Sequence, residues 1–167
     1  MIKIIGAKGN IANIEDFLKN VTDFSQENNL TIQVFNADLI YGKNHLISAY
    51  EHAKRAFIKK TNTANSFEME ILLYASGERQ LKLAIPKMGV KKGKANIAIF
   101  LESKKITTNQ ISELLNKLSL KKEDKVLEGN INKIEKFGIN KNSIATVSKD
   151  KYCDLILEKV AMVDIIK

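Results

Sequence analysis

The sequence has few of the residues that build disulfides, thiolate metal clusters or histidine sites. Its 167 residues include one cysteine, two histidines and no tryptophan. A single cysteine, Cys153, excludes an internal disulfide and a zinc site made of several thiolates. It also favours a reducing, cytoplasmic compartment. His45 and His52 lie seven residues apart, which is not the four-residue spacing of a helical metal pair. We therefore predict no metal and no cofactor.

Long apolar runs are also missing, since none approaches the roughly 18 residues that span a bilayer. No signal peptide is visible, because charge arrives at once with Lys3 and Lys8. Apolar residues still make up 44% of the chain, enough for a sizeable core. The length suits one domain, so we expect residues 1–167 to form a single domain without membrane contact.

Positive charge is in excess, and the middle of the chain carries it. The formal net charge is +8. Residues 43–105 hold thirteen Lys/Arg against five Asp/Glu, a balance of +8, whereas 1–42 and 106–167 balance to −2 and +2. Nucleic acid is a common partner of such a concentration. A solvated, lysine-rich surface explains the same excess equally well.

Apolar periodicity predicts strands that alternate with helices. The first strand is expected to end near Gly6–Gly9, and Asn13 can cap the helix that follows. A helix over about 43–60 has apolar residues at helical spacing, and we expect His45 and His52 on its opposite, charged face. The predicted strands lie near 2–6, 31–36 and 95–101.

Helices fill most of the remaining chain. Asn65 and Glu68 resemble a capping box for a very apolar helix, Phe67–Ala75, in which Glu70 should pair with a cation. Gly77 suits a left-handed cap, and Pro86 should bend or end the next helix early. Lys151–Ile166 is expected to be helical. These elements predict an α/β fold, with a small, mostly antiparallel or mixed sheet packed by several helices.

No catalytic constellation is visible. Gly6-Ala-Lys-Gly9 lacks the spacing and the Lys-Ser/Thr ending of a phosphate-binding loop. The carboxylates show no acid–base pairing, and Cys153 is better explained as a small core residue than as a nucleophile. We therefore predict that the protein is not an enzyme.

The stretch from Phe35 to Leu101 resembles a known family. The similarity lies in FNADLI, in the helix HLISAYEHAKRAF, in EILLYASGERQ and in the strand that opens with GVKKG. The C-terminal DLILEKVAMVDI is similar to the family's ending. These pieces resemble the PRPK-binding protein family, the small kinase-binding subunit of the KEOPS complex. Pro86 departs from the family pattern, in which a polar, helix-compatible residue is usual.

The resemblance implies a non-catalytic function. KEOPS makes threonylcarbamoyladenosine in tRNAs that read codons starting with A. In the family, the small subunit binds the kinase-like ATPase subunit, supports its activity and binds the CCA-bearing 3′ end of tRNA. It meets the other subunits indirectly. The alternative is a general RNA-binding module without a kinase partner, and a third class is an unidentified hydrolase or transferase.

The tRNA-binding surface implied by the resemblance needs cations for the backbone and flat groups for the bases. The chain has only two arginines, whose planar heads offer several donors. For each lysine, a solvated position is the simpler explanation without the resemblance. The expected tRNA-binding cations are Arg55, Lys59, Lys60 and Arg79. If the corner at the end of the 43–60 helix meets the corner at Ser76–Gly77, the stacking and hydrogen-bonding groups beside them are Asn65, Ser66, Tyr74 and Gln80.

The kinase-binding surface implied by the resemblance is expected in the last helix. Residues 155–167 include nine apolar residues, although a surface helix needs only one apolar stripe. The helix is therefore either buried on all sides or open to a partner. The residues expected to bind the kinase-like subunit are Leu155, Val160, Met162, Val163 and Ile166.

Overall fold

The computed structural model describes all 167 residues of the protein, which form eight α-helices and a four-stranded sheet. The predicted α/β class is confirmed. No helix has the length and apolar content that crossing a membrane requires. The strands are β1 (Ile2–Ile11), β2 (Thr31–Asn36), β3 (Gly93–Glu102) and β4 (Lys121–Lys122). The helices are α1 (Ile14–Asn28), α2 (Gly42–Lys59), α3 (Phe67–Ser76), α4 (Leu81–Met88), α5 (Thr108–Lys117), α6 (Ile131–Phe137), α7 (Lys141–Ala145) and α8 (Tyr152–Ile166).

The chain divides into two compact units. The first contains Met1–Ala37 and Val90–Leu127, and the second contains Asp38–Gly89 and Glu128–Lys167. The first unit holds the whole sheet with α1 and α5, whereas the second is helical. The single-domain organisation of residues 1–167 stays a prediction.

The sheet of the first unit is antiparallel throughout, with the order β2-β3-β1-β4. β1 pairs with β3 along its full length, so the expectation that this strand ends near Gly6–Gly9 is wrong. Gly6 serves close packing instead of a turn, because a Cβ there would lie 2.5 Å from the carbonyl oxygen of Glu123. Its backbone N–H donates to Oδ1 of Asp124 at 2.9 Å.

One face of this sheet carries the core of the first unit. Alternate residues of β1, among them Ile5 and Ala7, meet buried side chains of α1 such as Phe17 and Val21 and of α5 such as Leu114. Both α1 and α5 begin at a residue whose side chain caps the helix. The predicted Asn13 cap accepts from the Asp16 N–H at 3.0 Å, and Thr107 forms a capping box with Gln110.

In the second unit, α2 packs against α3 and α8. Ser66, not Asn65, caps α3 by accepting from the Met69 N–H, so the predicted Asn65–Glu68 capping box is wrong. Gly77 ends α3 with φ of 69°, which confirms the predicted left-handed cap. Pro86 does not stop α4, which continues to Met88. Proline has no N–H to donate to the carbonyl four residues earlier, and α4 ends two residues after it.

His45 corrects another expectation, because it is fully buried and not on the charged face of α2. Its Nδ1 accepts from the Tyr41 N–H at 3.2 Å, so Nε2 donates to the carbonyl of Ala75 at 2.8 Å. Phe137 meets the ring edge-on. Burial lowers the pKa of His45 to about 4. The residue is therefore a neutral connector between α2 and α3.

Replacing His45 with Gln should flatten the dependence of stability on pH between about 4 and 6.5. An unfolded chain takes up a proton at His45 in this range and the folded protein does not, so wild-type stability falls as the pH falls. Between pH 7.5 and 4.5 the wild type should lose about 2 to 3 kcal/mol more than His45→Gln, measured by urea unfolding. Groups shared by both proteins cancel in this comparison, and equal losses would contradict the assignment.

Candidate functional site

The second unit contains an open, charged cleft of about 460 Å³. The end of α2, the segment that follows it and the end of α8 form its walls. Its side chains comprise three cations, two hydroxyls and one carboxylate, so it suits a ligand that has both anionic and hydroxyl groups. The lining residues are Arg55, Ala56, Lys59, Thr61, Thr63, Asp164 and Lys167.

A buried carboxylate of α3 holds the segment that lines this cleft. Glu70 is fully buried, and its Oε2 accepts from the backbone N–H groups of Thr63 at 3.0 Å and Ala64 at 2.7 Å. The segment begins at Lys60, which has φ of 58° and caps α2 in the left-handed conformation. The position of the cleft wall is therefore determined by backbone contacts to one side chain.

The second oxygen of Glu70 holds the end of α8. Nζ of Lys167 lies 2.7 Å from Oε1, and the lysine side chain is only 8% exposed. The same ammonium group lies 4.6 Å from the ring centroid of Tyr74, a cation–π distance. This ion pair confirms that Glu70 pairs with a cation.

Asp164 is the carboxylate of the cleft. It accepts from the hydroxyl of Tyr74 on Oδ1, and Nδ1 of His52 lies 2.7 Å from Oδ2. Burial alone would raise the pKa of Asp164, but the hydrogen bonds to Tyr74 and His52 outweigh it and lower the pKa. Burial, together with the bond to Asp164, raises the pKa of Tyr74. Asp164 therefore stays ionised and acts as an acceptor.

The structure brings together only part of the predicted tRNA-binding set. Arg55 and Lys59 line the cleft, and Lys60, Asn65 and Ser66 are exposed where the chain passes from α2 to α3. Tyr74 is fully buried, and its hydroxyl donates to Asp164. Its ring therefore has no free face on which a base could stack.

Arg79 and Gln80 lie at a different corner. They follow Gly77 beyond the C-terminal end of α3, whereas Ser66 precedes its first residue. Ten helical residues separate the two corners by about 15 Å. The structure therefore does not bring these two corners together, because the unbroken helix α3 lies between them.

Five residues of the cleft were not predicted from the sequence: Ala56, Thr61, Thr63, Asp164 and Lys167. Asp164 and Lys167 are about a hundred residues from the α2 residues that they face, and no local pattern indicates such a contact. Only Glu70 indicated in the sequence that a distant cation lies nearby, because a carboxylate inside an apolar helix needs a cation.

The predicted kinase-binding residues divide between the inside and the outside of α8. Val160 and Val163 are fully buried, so they cannot contact a partner directly, and Leu155 is half-buried. Met162, Ile165 and Ile166 are 39%, 75% and 41% exposed. Their spacing of three and four residues places them on one face, here called the α8 strip. Ile165 was not among the predicted kinase-binding residues. A sequence with apolar residues on every side of a helix does not show which side packs against the rest of the protein.

Comparison with known proteins finds two matches. The family model described as "Kinase binding protein CGI-121" matches residues 9–164. The "Regulatory protein Cgi121" of Methanocaldococcus jannaschii is 32% identical over 144 residues, which cover 83% of this chain and 86% of that protein.

Replacing Lys167 with Ala should lower the free energy of unfolding by about 3 kcal/mol, because it leaves Glu70 buried without its cation. Lys159→Ala provides the matched control, since Lys159 is exposed on the same helix and makes no ion pair. The control should change stability by about 0.5 kcal/mol or less in urea unfolding. Equal, small effects of both variants would show that the pair does not hold α8.

Proposed function

Because the chain belongs to the kinase-binding protein CGI-121 family, we propose that it is a non-catalytic subunit of the KEOPS complex, which makes threonylcarbamoyladenosine in tRNA. In this proposal it binds the kinase-like ATPase subunit and supports its activity. It also binds the CCA-bearing 3′ end of tRNA, meets the other KEOPS subunits indirectly and acts in the cytoplasm.

The chemistry of the cleft is the observation that supports binding of a tRNA end. Arg55 and Lys59 offer cationic donors to phosphate oxygens, and Arg55 has the planar head that can bind two of them. Thr61 and Thr63 add hydroxyls. A site for phosphate alone would gain nothing from an acidic residue, yet Asp164 lies among these cations.

Asp164 is explained by a terminal ribose. A carboxylate accepts hydrogen bonds from hydroxyl groups, and the last nucleotide of an RNA has two adjacent hydroxyls where internal nucleotides have one. The carboxylate is held in place by Tyr74 and His52, so it is already oriented before a ligand binds. The combination of cations and an ionised carboxylate therefore favours an RNA 3′ end over an internal segment.

The α8 strip supports the kinase-binding part of the proposal. Three large apolar side chains at helical spacing remain exposed on a helix whose opposite face is buried. Exposed apolar groups that lie together commonly mark a surface for another protein. Scattered single apolar residues would not, so the common face of Met162, Ile165 and Ile166 is the relevant feature.

The alternative is a general RNA-binding module without a kinase partner. Such a module would bind internal RNA as well as ends, and it would have no use for the α8 strip. Binding of tRNAs with altered 3′ ends and binding of the kinase-like subunit separate this alternative from the KEOPS proposal.

Arg55→Ala should weaken binding of CCA-ended tRNA about tenfold, because a charged hydrogen-bond donor to phosphate is lost. Arg79→Ala is the matched control, since it removes the only other arginine, which follows the C-terminal end of α3 and does not line the cleft. It should change affinity less than about twofold. Fluorescence anisotropy with labelled tRNA measures both constants.

The same assay tests recognition of the terminal ribose. tRNA without CCA, and tRNA whose terminal diol has been opened by periodate and reduced, should both bind more weakly to the wild type. In Arg55→Ala, the differences in affinity between intact tRNA and the two altered tRNAs should be smaller than in the wild type. Equal binding of all three RNAs by the wild type would refute end recognition and favour the general module.

Ile165→Glu should abolish the stoichiometric complex with the kinase-like subunit in a pull-down or in size-exclusion chromatography, because it places a charge in the middle of the α8 strip. Leu83→Glu is the control, as Leu83 is 47% exposed on α4, outside the strip. It should leave the complex intact. A complex that survives Ile165→Glu would show that the partner binds elsewhere.

A further inference from the structure

The register of the sheet in the first unit places three lysines side by side. Lys8 of β1 lies opposite Lys121 of β4, and two residues further along β1 Asn10 lies opposite Lys94 of β3. Residues directly opposite in an antiparallel pair point to the same face, as do residues two apart in one strand. Lys8, Lys94 and Lys121 therefore share one face, here called the lysine face.

The lysine face is the one opposite the core of its unit. Ala7, next to Lys8 in β1, belongs to that core, and Ala95, next to Lys94 in β3, packs against it. The three lysines are exposed. Directly opposite residues lie about 5 Å apart and diagonal ones about 7 to 8 Å apart, so the three side chains project from neighbouring positions of the sheet.

This arrangement costs stability unless an anion offsets it, because like charges directly opposite repel each other. None of the three lysines makes an ion pair, although their neighbour Lys122, on the other face, lies 3.6 Å from Asp124. The lysine face is therefore a patch of positive charge without ion pairs of its own.

Two further lysines precede β3 in the sequence and lie next to this patch. Lys91 and Lys92 are exposed and lead directly into β3, which starts at Gly93 with φ of 91°. This is the basic turn of the GVKKGK segment. The turn and the sheet together place five lysines of the first unit in neighbouring positions.

We propose that the lysine face binds the phosphate backbone of RNA without reading its sequence. The choice of RNA as the occupant rests on the proposed function. The lysine face itself belongs to the first unit, whereas the cleft that would take the 3′ end belongs to the second. Lysine ammonium groups act as point charges for phosphates, and Asn10 beside them can donate to phosphate or ribose oxygens.

The composition of the face supports RNA over a protein partner. Protein interfaces have an apolar centre, and the exposed positions here are Lys8, Asn10, Lys94 and Lys121, none of which is apolar. They also include no arginine and no aromatic residue, so base reading and base stacking have no donors here. A surface of this kind should follow the backbone and respond strongly to salt.

The test compares two triple variants with the same loss of charge. One is Lys8→Ala/Lys94→Ala/Lys121→Ala. The control is Lys3→Ala/Lys104→Ala/Lys105→Ala, which removes three exposed lysines of the same unit that the strand register does not bring onto this face. The probe is a tRNA transcript without its CCA end, so that recognition of the end does not contribute. Urea unfolding checks that both variants fold.

We expect the lysine-face variant to bind this transcript at least about tenfold more weakly at low salt. The slope of log affinity against log salt should fall by about two to three, roughly one for each lost phosphate contact. The control should change affinity less than about twofold. Equal losses in the two variants would overturn the proposal, because general charge would then explain binding.

Two further outcomes are decisive. A short CCA-ended oligonucleotide should bind the lysine-face variant as it binds the wild type, since that ligand is assigned to the cleft. Failure of the oligonucleotide to bind wild type would refute the end-recognition proposal and leave the lysine face standing. If the variant keeps its affinity for the transcript but no longer binds the kinase-like subunit, the face is a protein interface and the RNA proposal is wrong.

Discussion

The carboxylate of Glu70 is the contact on which the candidate cleft depends. It lies inside α3, where no water reaches it, and it is satisfied by two backbone N–H groups from the segment after α2 and by the ammonium group of Lys167. A buried charge that loses a partner costs several kcal/mol. The segment and the end of α8 therefore cannot move independently, and one side chain fixes these two walls of the cleft.

Charge serves two purposes in this protein. Within the second unit, acids and bases are paired and partly buried, as Glu70 with Lys167 and Asp164 with His52, and the pairing determines geometry. In the first unit, Lys8, Lys94 and Lys121 are exposed on one face of the sheet and make no ion pair. Paired charges orient a few groups for a ligand with distinct parts, whereas a patch of one sign suits a repeating polyanion.

The elements of the fold could be predicted because local signals determine them. Asn13 and Gly77 begin and end helices as their chemistry requires, and apolar periodicity located the long helix α2. The candidate site could be predicted only in part. Arg55 and Lys59 were accessible to reasoning about a charged helix face, but Asp164 and Lys167 enter through tertiary packing between α8 and two helices far away in sequence.

The same limit explains the errors. His45 occupies a position on α2 that periodicity assigns to the polar side, yet Phe137 and the carbonyl of Ala75 cover it. Nothing in the residues around His45 indicates this cover. Likewise, the pairing of Lys8 with Lys121 depends on strand register over more than a hundred residues, which the sequence does not show.

The shortness of β4 has a consequence for how the protein behaves in a crowded solution. An open sheet edge has unpaired N–H and C=O groups that can recruit a strand from a second molecule and start aggregation. Here the edge strand has two residues, both lysines, and the following segment closes over β1 through the hydrogen bond from Glu123 to Gly6. Two like-charged chains would repel at this edge before they could join, so the basic residues also protect this edge of the sheet against self-assembly.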